Sequence, residues 1–177
     1  MSKVEVELRA KIAPGILKKF AGKVLKESKE HDLYFRYETD TEKTWIARIR
    51  NRGSNYSLTY KSSKQFGEGA WDEVNVHIDR KTAEQLRSFF SSNSHNLEVE
   101  IIKRRKTIKI DGMEVNVDKI EGLGTYIEAE IMADMKKVDD AKEKIRSLFK
   151  KLGIPDKEIT DKGYVWLMRE RKDGATS

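Results

Sequence analysis

The chain has 177 residues, no cysteine, and 36 basic against 30 acidic residues, for a formal net charge of +6. That length is most simply one domain with room for a core. The composition excludes a disulfide framework and any thiolate metal site or nucleophile, and no apolar run approaches the ~20 residues of a membrane-crossing helix. The N-terminus lacks the basic-then-apolar pattern of a secretory signal, so a cytoplasmic location with no membrane partner is expected. The basic excess points to an anionic ligand. Because the acids are interspersed with the bases, a compact polyanion fits better than a nucleic-acid backbone.

In chain order, residues 3–11 (KVEVELRAK) alternate as a β-strand, with Val4, Val6, Leu8 and Ala10 on one face and Lys3, Glu5, Glu7, Arg9 and Lys11 on the other. Pro14 opens a predicted helix through Ile16, Leu17, Phe20 and Val24. Strands are predicted over 33–37, 45–50, 57–61 and 71–78, separated by turn signals at 52–55 and 67–69. Thr82 and Gln85 form a capping box ahead of a helix carrying Leu86, Phe89 and Phe90. Strands over 97–107 and 113–117 flank Asp111-Gly112, a two-residue hairpin signal, and the 122–124 turn precedes a strand over 125–131. A helix over 139–152 spaces Ala141, Ile145, Leu148, Phe149 and Leu152 on one side and stops at Gly153. A short helix after Thr160 buries Tyr164, Leu167 and Met168, and residues 171–177 read as a flexible tail after a domain spanning 1–170. The pattern is α+β, an antiparallel sheet with a few amphipathic helices.

The polar faces of these strands are unusual. A charged face on one strand is ordinary where a sheet meets water. Here like charges recur two residues apart, as Glu5/Glu7, Arg48/Arg50 and Glu128/Glu130, and Lys103 and Arg105 share a face. Glu73, Asn75 and His77 form another polar face, as do Glu114, Asn116 and Asp118. Carboxylates and guanidiniums thus segregate by strand. Opposed across a closed barrel, such walls compensate each other, and a metal–polyphosphate bridges them. Mg²⁺ or Mn²⁺ takes carboxylate and phosphate oxygens, while Arg grips phosphate bidentately and Lys acts as a point charge. Phosphoryl transfer needs little beyond positioning, charge neutralisation and an activated nucleophile.

In this arrangement E5-V-E-L-R9 resembles the ExExK signature of the CYTH superfamily, the triphosphate tunnel metalloenzymes, which include class IV adenylate cyclases, thiamine triphosphatases and inorganic triphosphatases. The likeness continues in order through D32-L-Y-F35, A47-R-I-R50, L58-T-Y-K61, I102-K-R-R105, V115-N-V-D118 and G122-L-G-T-Y-I-E-A-E130. It implies a closed eight-stranded antiparallel β-barrel with helices packed outside, so the valines of the first strand face outward and its charges face a lumen. It also implies Glu5, Glu7, Glu128 and Glu130 as ligands of Mg²⁺ or Mn²⁺. Arg9, Lys11, Arg48, Arg50, Lys61, Lys103 and Arg105 are then the phosphate grips, and Asp118, Glu73 and Lys162 the catalytic candidates. Arg9 stands where the signature has lysine and cannot shuttle a proton, and Asn75 replaces a second carboxylate. Trp45 and Trp71 are candidates for stacking on an organic ring. The implied function is metal-dependent hydrolysis of a small-molecule triphosphate. The alternatives are a class IV adenylate cyclase or a non-catalytic polyphosphate-binding module, as monomer or homodimer. Glu5→Gln and Glu7→Gln are both expected to abolish activity while leaving stability unchanged or improved, because crowded carboxylates repel.

Overall fold

A computed structural model describes residues 3–13, 16, 24–37, 45–62, 70–92 and 97–174. The strands are β1 (Lys3–Lys11), β2 (Val24–Tyr37), β3 (Trp45–Arg52), β4 (Asn55–Ser62), β5 (Ala70–Ile78), β6 (Leu97–Ile110), β7 (Met113–Ile120), β8 (Gly124–Asp134) and β9 (Ile159–Thr160). The helices are α1 (Arg80–Ser92), α2 (Val138–Lys151) and α3 (Tyr164–Gly174). The helix expected from Pro14 falls largely outside the described residues, as does the 67–69 turn. Val24, placed in that helix by its spacing, instead opens β2.

All nine strands join one sheet in the order β5-β4-β3-β2-β6-β7-β8-β1-β9. The sheet curls until β5 also meets β1, antiparallel, through Glu5↔Trp71 and Val6↔Ala70. Beyond that two-pair seam, the same edge of β1 pairs with β9 through Arg9↔Thr160 and Ala10↔Ile159. Among the described residues, the expected eight-stranded barrel is a curled sheet whose ends meet in a short two-pair seam, with a ninth strand further along the same edge of β1.

Strand β1 is buried on both faces. Val4, Val6, Leu8 and Ala10 are 0–1 % exposed, and Glu7 and Arg9 only 4–5 %. The apolar positions face outward under helices, as alternation requires of a sheet covered outside and filled inside. Leu8, Ala10, Val115, Val117, Ile127 and Ala129 pack against Ile145, Leu148 and Phe149 of α2. Leu33, Phe35, Ala47 and Ile49 pack against Ala83 and Phe90 of α1. Val99, Ile101, Ile120 and Tyr126 pack against Tyr164 and Val165 of α3.

Local chemistry sets the element ends. The Asp79 carboxylate accepts the Thr82 N–H at 2.7 Å and its carbonyl accepts the Ala83 N–H at 3.0 Å, so Asp79 caps α1 and the expected Thr82–Gln85 box does not. Asp111 and Gly112 both adopt positive φ (48° and 84°), the two-residue turn that matches strand twist. After α2, Gly153 at φ 77° lets the Ile154 N–H return to the Phe149 carbonyl. Helix α3 continues through residues 171–174, which the sequence reads as tail.

Candidate active site

The inner face of the sheet surrounds a cavity of about 230 Å³. On its acidic side, β1 and β8 run in register with Glu7 opposite Glu130 and Arg9 opposite Glu128. One carboxylate oxygen from each of Glu5, Glu7 and Glu130 lies within 4.8 Å of the others. Lost hydration raises the proton affinity of Glu5, and Glu7 and Glu73 add to it against the pull of Lys61. Glu130, at the solvent-open mouth, is pushed up to about 7 by lost hydration and by Glu128 and Glu5. Burial also opposes the charge of Glu7, but Arg9 and Lys61 outweigh it and hold Glu7 below the usual range. Three converging carboxylates, two of them short of compensating charge, are the hard-oxygen donor set that Mg²⁺ or Mn²⁺ takes.

Cations occupy the rest of the wall. Lys61 bonds Glu5 at 3.0 Å and Glu73 at 2.6 Å. Arg48 donates to Thr59 at 2.9 Å and lies 3.8 Å from Glu73. Arg9 spans Glu7 at 2.7 Å and Glu128 at 2.8 Å. Arg105 forks onto Asp118 at 2.8 and 2.6 Å and reaches Glu128 at 2.6 Å. Two donors on this wall, Nη1 of Arg9 and Nε of Arg48, are buried with no acceptor among the described residues.

A second layer braces the first. Arg50 grips Asp32 through two 2.6 Å bonds and lies 3.3 Å from Glu30, which Arg52 holds at 2.7 Å. Lys103, 2 % exposed, sits 3.2 Å from Asp118 and 3.5 Å from Glu30. Burial and then the Arg105 charge lower the Lys103 proton affinity. Burial disfavours the Glu30 charge too, yet Arg50, Lys103 and Arg105 bring its pKa down to about 2. This layer aims the guanidiniums inward while neutralising their backs.

Most residues singled out from sequence converge here: Glu5, Glu7, Arg9, Arg48, Arg50, Lys61, Glu73, Lys103, Arg105, Glu128 and Glu130 all border the cavity. Glu128 stands apart from the three-carboxylate cluster because Arg9 and Arg105 claim its oxygens. Asp118 is fully buried behind the wall, locked by Lys103 and Arg105. Lys11 and Lys162 do not border the cavity. Lys11 ends β1 in solvent, and Lys162, in the exposed turn before α3, pairs with Glu170. The side chains of Trp45 and Trp71 lie outside the described residues. His77 is exposed near the end of β5. Glu30 and Arg52 had no site role in the sequence, and Asp32 figured only within the D32-L-Y-F35 likeness, although Glu30 and Asp32 repeat the two-apart carboxylate signal just upstream of residue 33. Tyr164 is buried, as its helical spacing predicts, and it also borders the cavity, as does Trp166.

A curled antiparallel sheet with this inner face defines a tunnel-type fold with a densely charged interior. The chain belongs to the CYTH family, whose domain matches residues 3–164. A Methanocaldococcus jannaschii protein provisionally named an adenylate cyclase is 31% identical over 173 residues, covering 93% of this chain and 98% of the relative. The structure of a conserved Pyrococcus furiosus protein superposes with a TM-score of 0.76 at 25% identity, over 92% of this chain and 99% of that one. A Hippeastrum protein first regarded as an adenylyl cyclase, and described as having a dominant triphosphatase activity, superposes at TM-score 0.57 with 19% identity, over 92% and 91%. Relatives thus carry both names. Metal dependence is general in the family, and the Glu5–Glu7–Glu130 cluster is an acidic group suited to it. No helix among the described residues is long and apolar enough to cross a membrane.

Proposed function

We propose that the protein hydrolyses the terminal phosphoanhydride of a triphosphate inside the tunnel. The observation that carries this reading is the cluster of Glu5, Glu7 and Glu130 beside Arg9 and Arg48, two guanidiniums that each keep a buried donor without an acceptor among the described residues. Glu5, Glu7 and Glu130 would hold Mg²⁺ or Mn²⁺, which when bound neutralises phosphate charge and polarises the phosphoryl group. Arg9, Arg48 and Lys61 bind the phosphates by exchanging carboxylate partners for phosphoryl oxygens, and Arg50, Arg105 and Lys103 set the positive potential behind them. Glu73, held by Lys61 on the cavity wall, orients the attacking water and takes its proton. The water oxygen bonds to the terminal phosphorus as the bridging P–O bond breaks, and its electrons leave with the departing diphosphate.

The second reading, favoured by the name of the M. jannaschii relative, is an adenylate cyclase. The same wall then holds ATP so that the ribose 3′-hydroxyl attacks the α-phosphorus and pyrophosphate leaves. Tripolyphosphate, ATP and thiamine triphosphate, each with Mg²⁺ or Mn²⁺, separate the two by product. Orthophosphate marks the hydrolase, and cyclic AMP with pyrophosphate marks the cyclase. Tight binding without turnover removes both.

A further inference from the structure

The ring of Tyr164, the first residue of α3, packs in the cluster with Val99, Ile101, Ile120 and Tyr126, but that packing does not account for its hydroxyl. Its ring meets Tyr126 edge-on, with centroids 5.7 Å apart and planes at 75°. The Arg9 guanidinium lies 4.8 Å and the Lys103 ammonium 5.1 Å from the ring centroid. The residue is 4 % exposed and borders the charged cavity, yet its hydroxyl is buried with no hydrogen-bond partner among the described residues. A buried hydroxyl without a partner is costly and uncommon, and phenylalanine would supply the same ring without it.

The neighbours narrow what the hydroxyl lacks. Arg9, stacked on the same ring, also keeps a buried donor without an acceptor among the described residues. The nearby carboxylates are committed elsewhere, Glu128 to Arg9 and Arg105, and Asp118 to Arg105 and Lys103. Among the described residues, two buried donors on one wall therefore lack acceptor oxygens. An entering oxyanion that draws Arg9 away from Glu7 or Glu128 brings acceptors to this wall.

We propose that Tyr164 is a substrate-binding residue that donates its hydroxyl to a phosphoryl oxygen of the bound triphosphate beside Arg9. This assignment rests on the triphosphate reading above and adds to it a contact from α3, an element outside the curled sheet. Calorimetric binding of tripolyphosphate with Mg²⁺ and the thermal midpoint of the ligand-free protein, each for wild type and Tyr164→Phe, test it. The Phe ring retains the Tyr126 and cation contacts. The expected result is a ligand-free midpoint equal to or above wild type, with affinity reduced about 10- to 100-fold, the range for losing a hydrogen bond to a charged group. KM for a hydrolysed triphosphate rises in step. Equal affinity in the two proteins overturns the assignment and leaves the triphosphate reading standing. A lowered ligand-free midpoint, with or without lost affinity, makes the hydroxyl structural and also overturns it. Absence of binding to wild type overturns both readings together.

Discussion

Glu5 and Glu7 stand two residues apart on one face of β1, and their surroundings give them opposite responses to the same substitution. Burial and neighbouring carboxylates already hold a proton on Glu5 more strongly than usual, so a neutral amide of the same shape costs the ligand-free protein little. Glu7 is one of two carboxylates on Arg9, and its loss leaves a buried guanidinium half-paired. Both Glu5→Gln and Glu7→Gln are expected to lower metal-dependent turnover by ~100-fold or more. In urea titrations Glu5→Gln should match or exceed wild-type stability, and Glu7→Gln should lose about 1–3 kcal/mol. Unchanged turnover in both variants removes the metal-ligand assignment. Strand parity places the two glutamates on one face, and from parity alone both substitutions look neutral or stabilising. That Arg9 reaches back to Glu7 depends on which side-chain conformers fit inside the curl, and periodicity carries no information about that.

At the scale of elements, the apolar layers under α1 and α2 lie outside the sheet, while the cluster under α3 lies on the same strand faces as the charged interior. Phe149 of α2 is fully buried against β1, β7 and β8, so Phe149→Ala should cost about 3–5 kcal/mol in urea unfolding. Because that layer is separated from the cavity by the sheet itself, KM should stay within about twofold. A KM shift as large as the stability loss implies would show that the curl, and not the inner side chains, sets the site. The spacing of α2, the alternation of β1, β3 and β8 and the Asp111-Gly112 hairpin were all legible in the sequence, because each follows a local period or turn rule. The first half of β2 was not, since residues 24–32 (VLKESKEHD) put polar groups on both faces. Two-residue β9 carries no period at all. The Thr82 box lost to Asp79 because the acceptor three residues earlier is already placed for the Thr82 N–H.

Across the whole molecule, two sets of carboxylates pull the pH dependence in opposite directions. Glu30, Asp32 and Glu128 lose hydration on burial, but their arginine and lysine partners outweigh that and hold them below their ordinary range, Glu30 at about 2. Their stabilisation is complete above the ordinary carboxylate range and is lost as pH falls from about 4.5 toward 2. Glu130 does the reverse. With its folded value near 7, the native state binds the extra proton between about 4.5 and 7, and stability declines as pH rises through that window. Metal-free protein should therefore be most stable near pH 5, with Mg²⁺ or Mn²⁺ removing the decline toward pH 8, as read by urea titration across pH. A flat profile unaffected by the cations would argue that no cation occupies the Glu5–Glu7–Glu130 cluster. The ordered carboxylate and guanidinium strands announced this interior in the sequence. What they left out was the buttressing by Glu30, Asp32 and Arg52, and the approach of Tyr164 across the end of the curl, since contacts between distant segments follow from closure and not from any local pattern. The most direct measurement assays orthophosphate, pyrophosphate and cyclic nucleotide together after incubating ATP or tripolyphosphate with the protein and Mg²⁺ or Mn²⁺. Hydrolysis in the tunnel predicts metal-dependent release of orthophosphate, with nucleoside diphosphate from ATP. Cyclic AMP with pyrophosphate, or no turnover of any triphosphate, would contradict it.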